Sequence, residues 1–168
     1  MKDILIFCPS IEYGGVEKNL FIISNYISKK VKARNVSIIT ANNNHKKKFS
    51  KKINFFTPKN NFNNSSRFVK GIISMILFFK NFRKKDVVIL SFQANIIAII
   101  LAKFFKKKII IRSNTSPEKF AQNFFKKFIF KFFFKYADII IVNSLLFKRQ
   151  IKSYFNLKST CIYNSIEN

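Results

Sequence analysis

The chain has 168 residues, enough for one domain with a core of its own and too few for two ordinary α/β domains. Its 32 Lys and Arg against 7 Asp and Glu give a formal charge of +25, a field that draws nucleic acid, anionic lipid or phosphorylated substrates unless the lysines are simply drift on solvated faces in an A/T-rich coding sequence. His45 is the only histidine, and Cys8 and Cys161 sit inside apolar strand-like runs as buried thiols, which removes zinc sites and most histidine-based catalysis.

The opening stretch sets the pattern for the rest. Ile4 to Cys8 reads as a buried strand, Pro9 to Gly15 as a loop, and from Val16 the apolar residues Val16, Leu20, Ile23 and Ile27 recur at helical spacing up to Lys29 and Lys30. Gly14 and Gly15 fall where strand gives way to helix. Glycine there permits a sharp turn and a close approach, and the free N–H groups of the first helical turn favour an anion such as a phosphate. Plain turn chemistry is the alternative. The third glycine of a dinucleotide fingerprint is missing, and no Gly-Lys-Ser/Thr of a P-loop follows.

Further along, Val36 to Thr40 and Ile53 to Thr57 read as strands separated by a lysine-rich loop, and 58–66 as an exposed Asn/Ser-rich connection. Ser65 or Ser66 caps a helix running through Phe68, Ile72, Ile76 and Phe79. Val87 to Ser91 is a strand, Asn95 to Phe105 a helix, Lys108 to Arg112 a strand and Ser113 to Pro117 a loop. One long helix is expected from Glu118 to Tyr136. A strand from Asp138 to Asn143, a helix from Ser144 to Phe155 and a strand from Thr160 to Asn164 complete the chain. Strand and helix alternate, and near-continuous Ile/Val runs suit strands covered on both faces. The expected fold is a single Rossmann-like α/β domain with a doubly wound parallel sheet. Right-handed crossovers put the loops beginning at Pro9, Phe92, Ser113 and Ser144 along one edge, where such sheets bind ligands.

Four segments on that edge carry a family likeness: Gly14-Gly15-Val16-Glu17, Ser91-Phe92-Gln93-Ala94-Asn95, Arg112 through Glu118 (RSNTSPE), and Ala137 through Ser144 (ADIIIVNS). With them, the chain resembles the N-terminal half of retaining, family-4-type glycosyltransferases of the two-domain GT-B architecture. Cys161 to Ile166 looks like the strand and hinge leading into the second domain. The resemblance implies transfer of a sugar from a nucleotide-diphosphate-sugar co-substrate to a glycan or lipid-linked acceptor of the cell envelope, with retention, no catalytic metal and no tightly bound cofactor. In that family the second domain binds the donor nucleotide. Residues 1–168 are therefore expected to be the acceptor-side domain without the C-terminal one. Such a half is expected to be inactive alone and completed by a separate donor-binding chain, or else to be a truncated remnant.

The resemblance and the local chemistry together nominate the site residues. Gly14, Gly15 and Ser144 are donor-side candidates, with Ser144 alternatively a helix N-cap. Gln93, Asn95, Arg112, Ser113 and Asn114 are acceptor-side candidates. Arg112 either clamps a phosphate or acidic sugar or forms a strand-end ion pair with Glu118, while the others hydrogen-bond hydroxyls or shape turns. Glu118 is the candidate general base, with a first-turn structural role as the alternative.

The stretch 119–136 interleaves phenylalanine with lysine on every side. Lys126, Lys127, Phe130, Lys131 and Phe134 are therefore candidate contacts to an anionic membrane surface, the alternative being an ordinary core helix. The apolar start lacks a signal-peptide cleavage pattern, and the longest apolar stretches fall short of the ~20 residues of a membrane span. A cytoplasmic location is expected, at the inner face of the membrane if the surface contact holds. A nucleic-acid-binding role is the rival from another class, but no RNP-like or helix-turn-helix pattern appears. A non-catalytic membrane adaptor is the third reading.

Overall fold

Alternating strand and helix signals become alternating strands and helices in the computed structural model, which describes residues 2–12, 14–31, 35–42, 45–60 and 62–164. Strand β1 (Asp3–Phe7) leads into α1 (Gly15–Lys30), and β2 (Val36–Ile39) reaches β3 (Ile53–Phe56) through a 3-10 turn at Lys46–Lys48. Then follow α2 (Arg67–Asn81), β4 (Val87–Ser91), α3 (Asn95–Phe104), β5 (Lys108–Ser113), α4 (Pro117–Ala121), α5 (Phe124–Phe134), β6 (Ile139–Val142), α6 (Leu145–Phe155) and β7 (Thr160–Cys161).

The strands form one seven-stranded sheet in the order β3-β2-β1-β4-β5-β6-β7, with every pairing parallel. Ile6 lies opposite Ile38 on one side and Leu90 on the other, which aligns the C-terminal ends of the central strands. The strand order reverses between β1 and β4. The connection from β1 leaves toward β2, that from β4 toward β5, and the crevice between them is where open α/β sheets take ligands.

Alternation along the strands sorts their side chains to two faces. Leu5, Phe7, Ile89, Ile109, Ile111, Ile140 and Val142 pack with Phe78 and Phe82, Ala98 and Ala102, Phe134, and Ile151 and Phe155, so α2, α3, α5 and α6 cover one face. Ile6, Cys8, Val36, Ile38 and Leu90 pack on the other face with Leu20 of α1, joined by Val16, Ile23 and Ile27. Burial, with Glu17 nearby, pushes the Cys8 thiol far above its ordinary range, so it stays protonated and inert.

Three expectations need correction. The continuous helix over 118–136 is two helices. Pro117 opens α4, and Asn123 then caps α5 by accepting a hydrogen bond from the Lys126 backbone N–H at 3.1 Å. An asparagine that can satisfy a free N–H at a new helix start outcompetes continuation of the old helix. The second correction concerns β6. Ile140 and Val142 are buried, but Ile139, on the α1 side of the sheet, is exposed, because α1 reaches only the β1–β3 half of that face. Third, Cys161 is half-buried, near the sheet edge. The last strand is short, Thr160–Cys161, and the hinge residues Ser165 and Ile166 lie outside the described residues. Among the described residues no helix is long and apolar enough to cross a membrane.

Candidate functional site

Because all strands point the same way, the loops after β1, β4 and β5 meet on one rim, and a cavity of about 590 Å³ opens among them at the strand-order reversal. Its walls come from the β1–α1 loop (Ser10, Glu12, Gly14, Gly15), the β4–α3 loop (Phe92 to Asn95), the end of β5 (Arg112 to Thr115), the start of α2 and the inner rings of α4 and α5. The donor-side candidates Gly14 and Gly15 and the acceptor-side candidates Gln93, Asn95, Arg112, Ser113 and Asn114 line this single space.

The glycines differ in what they do. Gly14 caps α1 in an extended conformation, and a Cβ there would stand 2.8 Å from the Glu17 carboxylate, so a side chain would push on a buried glutamate. Gly15 faces open space. It also begins a 16-residue helix whose first-turn N–H groups and dipole favour an anion at the cavity. Glu17 is buried in that turn and accepts a hydrogen bond from Gln93 Nε2 at 3.1 Å. The other end of the same amide, Gln93 Oε1, accepts from the Ser10 N–H at 3.1 Å. Gln93 thus ties the β4–α3 loop to both ends of the glycine loop. Next to it, Ala94 holds a left-handed backbone (φ 52°) at the start of α3, a conformation that costs energy for any residue with a Cβ. Asn95 Oδ1 accepts from Ser91 Oγ at 2.7 Å and its Nδ2 donates to the Arg112 carbonyl at 3.1 Å, locking β4 to β5 at the rim.

Arg112 is the largest fully buried side chain, 2 % exposed. Its Nε donates to Asn114 Oδ1 at 3.2 Å, and its Nη2 donates to the Ile162 carbonyl at 3.3 Å and to Asn164 Oδ1 at 2.9 Å. Asn114 Nδ2 in turn donates to the Phe92 carbonyl at 3.0 Å. Every one of these partners is neutral, and no carboxylate among the described residues forms an ion pair with Arg112. Burial draws the guanidinium below its ordinary value, opposed by Cys161, but an arginine keeps its charge. Among the described residues, this buried cation is held by amides and carbonyls, a setting in which an anion is electrostatically favoured.

The sequence missed a charged cluster beside the cavity. Lys70, buried in α2, extends Nζ to within 3.1 Å of Glu12 Oε1 and 3.2 Å of Ser10 Oγ, while Ser10 Oγ donates to the same Glu12 oxygen at 2.5 Å. Arg67 adds a looser contact to Glu12 at 3.7 Å. The hydrogen bond from Ser10, then that from Lys70, hold the Glu12 carboxyl below its usual value, so it stays ionised. The cluster fastens the glycine loop to the start of α2. Glu12 is the only carboxylate between Pro9 and Gly15, which was the available signal; Lys70 was hidden among many lysines.

Two candidates lie elsewhere. Glu118 is exposed at the start of α4, does not line the cavity, and accepts from Gln150 Nε2 at 3.4 Å, tying α4 to α6; it makes no pair with Arg112. Ser144 follows β6 on the same rim but caps α6, its Oγ accepting from the Phe147 N–H at 3.1 Å. Ser113 is buried, its hydroxyl turned to the Thr115 carbonyl at 3.4 Å. Phe130 and Phe134 also depart from expectation. Both line the cavity; Phe134 is fully buried and Phe130 stacks on Phe120 at 3.8 Å, so neither ring is available to a membrane. Among the described residues, no group of three His, Cys, Asp or Glu side chains is arranged to hold a metal ion.

The parallel sheet, its strand order and its single-domain build define the class: a Rossmann-like α/β domain that matches half of a GT-B glycosyltransferase. The particular neighbours are informative. The chain superposes on HepE of Anabaena in complex with UDP-glucose with a TM-score of 0.64 and 15% identity, over 99% of this chain and 45% of that one. HepE in complex with UDP and glucose gives the same TM-score. The lipopolysaccharide outer core galactosyltransferase WaaB, in its apo form, gives 0.60 at 16% identity, over 99% and 46%. The chain thus spans less than half the length of these proteins, and at such identity the likeness is one of fold. No family model matches the chain, and no curated protein does either.

Proposed function

We propose that residues 1–168 form the acceptor-side wall of a sugar-transfer cleft, completed by a donor-binding domain outside these residues. The reaction moves a sugar from a nucleotide-diphosphate-sugar to a hydroxyl of a glycan or lipid-linked acceptor in envelope synthesis, with retention and without a catalytic metal. The observation that carries the reading is the cavity at the strand-order reversal, bounded by Gly14 and Gly15 on one side and on the other by a buried Arg112 that has no carboxylate partner among the described residues. The likeness to proteins crystallised with UDP-glucose supports it at the level of fold.

Each group then has a role that follows from its chemistry. Open space at Gly15 lets the diphosphate approach the first-turn N–H groups of α1. The guanidinium of Arg112 binds an anionic group of the acceptor, a phosphate or a carboxylate. Gln93, Asn95 and Asn114 each spend one amide donor and one oxygen lone pair on holding the loops in position, which leaves a second N–H and lone pair on each for an acceptor hydroxyl.

The test is transfer from radiolabelled UDP-glucose or UDP-galactose to a lipid extract, by this chain alone and mixed with a donor-binding half of a GT-B enzyme. Label is expected in the lipid fraction of the mixture only. It should fall at least about tenfold with Arg112→Ala, since a charge-assisted hydrogen bond lost at a buried site costs on the order of 1.5–3 kcal/mol. Folded halves that give no label in any mixture, or an Arg112→Ala mixture as active as the parent, would contradict the reading.

A further inference from the structure

Along the outer side of α5, Phe124, Phe128, Phe132 and Tyr136 recur every four residues, and Lys127, Lys131 and Lys135 recur at the same interval. Four-residue spacing makes each set a ridge along the helix, and each lysine lies three positions after a ring, so the two ridges run side by side. Phe124 is 86 % exposed, Phe125 69 %, Phe128 61 % and Phe132 42 %. Phe128 and Phe132 stack at 6.4 Å, Phe132 meets Tyr136 edge-on at 5.5 Å, and Lys135 Nζ lies 4.7 and 4.8 Å from those last two rings. The inner side of the same helix is satisfied: Phe130 and Phe134 pack into the core and the cavity wall. Packing explains the inner rings and leaves the outer ones in water. They present on the order of 500 Å² of ring surface, at the upper end of what a soluble monomer shows.

We propose that this ridge docks on an anionic lipid bilayer. Phenylalanine rings have no hydrogen-bonding group to keep in water, so entering the acyl boundary gains their full apolar transfer energy. A lysine beside each ring can lay its stem along the apolar surface and extend its ammonium to a lipid phosphate. The charge of +25 adds attraction at longer range. A nucleic-acid platform fits less well, because binding a strand takes a charged groove that tracks its backbone, and these rings lie on the convex side of a helix. Exposed Phe68, Leu145 and Leu146 sit in the first turns of α2 and α6, on the rim where the cavity opens. The helix that meets the bilayer is therefore also a wall of the cavity. Lipid binding does not depend on sugar transfer, so this inference stands or falls separately from the proposed function.

The chain contains no tryptophan, so Phe128→Trp supplies a single fluorescent reporter on the ridge. Vesicles of mixed phosphatidylglycerol and phosphatidylcholine should co-sediment the protein and shift that emission to the blue, whereas phosphatidylcholine alone should do neither. The double substitution Phe124→Ser/Phe128→Ser leaves the charge unchanged and touches only exposed positions; circular dichroism checks its fold. It should lower partitioning at least about tenfold. Tyr26→Ser, on exposed α1 across the sheet, should change nothing. Failure to co-sediment would overturn the proposal. So would undiminished binding by the double variant, which would make the attraction charge alone, or a double variant that keeps vesicle binding and loses affinity for oligouridylate.

Discussion

Lys70 and Glu12 show how one residue pair sets the geometry of a loop. Lys70 is buried in α2, whereas the Glu12 side chain is 45 % exposed, so the lysine depends on the carboxylate more than the reverse. Glu12→Gln leaves a buried ammonium with only neutral acceptors. Breaking a fully buried pair costs ~3–5 kcal/mol, and discounting for solvent at Glu12 gives roughly 1–2 kcal/mol at neutral pH. The pH dependence has a definite sign. The Glu12 carboxyl is held below its ordinary value of 4.5, so its contribution is present above that value and is lost as pH falls through the folded-state one. Urea denaturation of the parent should weaken in acid, and the Glu12→Gln curve should be flatter over the same range. Equal acid sensitivity in both proteins would remove Glu12 from this role. Neither residue stood out in the sequence beyond Glu12's position. A lysine among 32 Lys and Arg gives no sign of being buried, because burial is a property of the packed helix and not of local pattern.

Helix starts carry the next lesson. Ser66, Asn123 and Ser144 each accept a backbone N–H three residues on, and each marks where a helix begins. Ser66 and Ser144 were readable as caps because a polar stretch or a strand end precedes them. Asn123 was not, since phenylalanine and lysine on both sides kept a helical period running through it. The Ile run of β6 misled in a related way: it reads as buried on both faces, yet only the Ile140 and Val142 face has helices over it. Periodicity reports apolar character and cannot report which neighbour arrives. The rim residues Gly15, Arg112, Gln93 and Asn95 were legible because strand direction gathers their loops on one edge and the family resemblance picks them out there; two of the partners of Arg112, Ile162 and Asn164, were not, as they lie some fifty residues on. Ser144→Ala and Asn123→Ala should each cost about 1 kcal/mol of stability by thermal or chemical denaturation. Neither should alter nucleotide-sugar binding. A Ser144→Ala protein of unchanged stability with weakened UDP-glucose binding would restore Ser144 to the donor side.

At the scale of the molecule, the sheet divides the labour. Its central strands deliver three loops to one cavity, and α5 forms both part of the inner wall and an outer aromatic ridge. If this domain is one wall of a sugar-transfer cleft, as proposed, weak donor contact by the chain itself follows. The most direct measurement is amide chemical-shift mapping of the uniformly ¹⁵N-labelled chain with UDP-glucose. Saturable shifts at millimolar ligand are predicted for the N–H groups of Gly14, Gly15 and Val16, the donor-side loop. Shifts absent from those residues, or confined to the lysines of the outer helices, would contradict a sugar-nucleotide cleft at this rim.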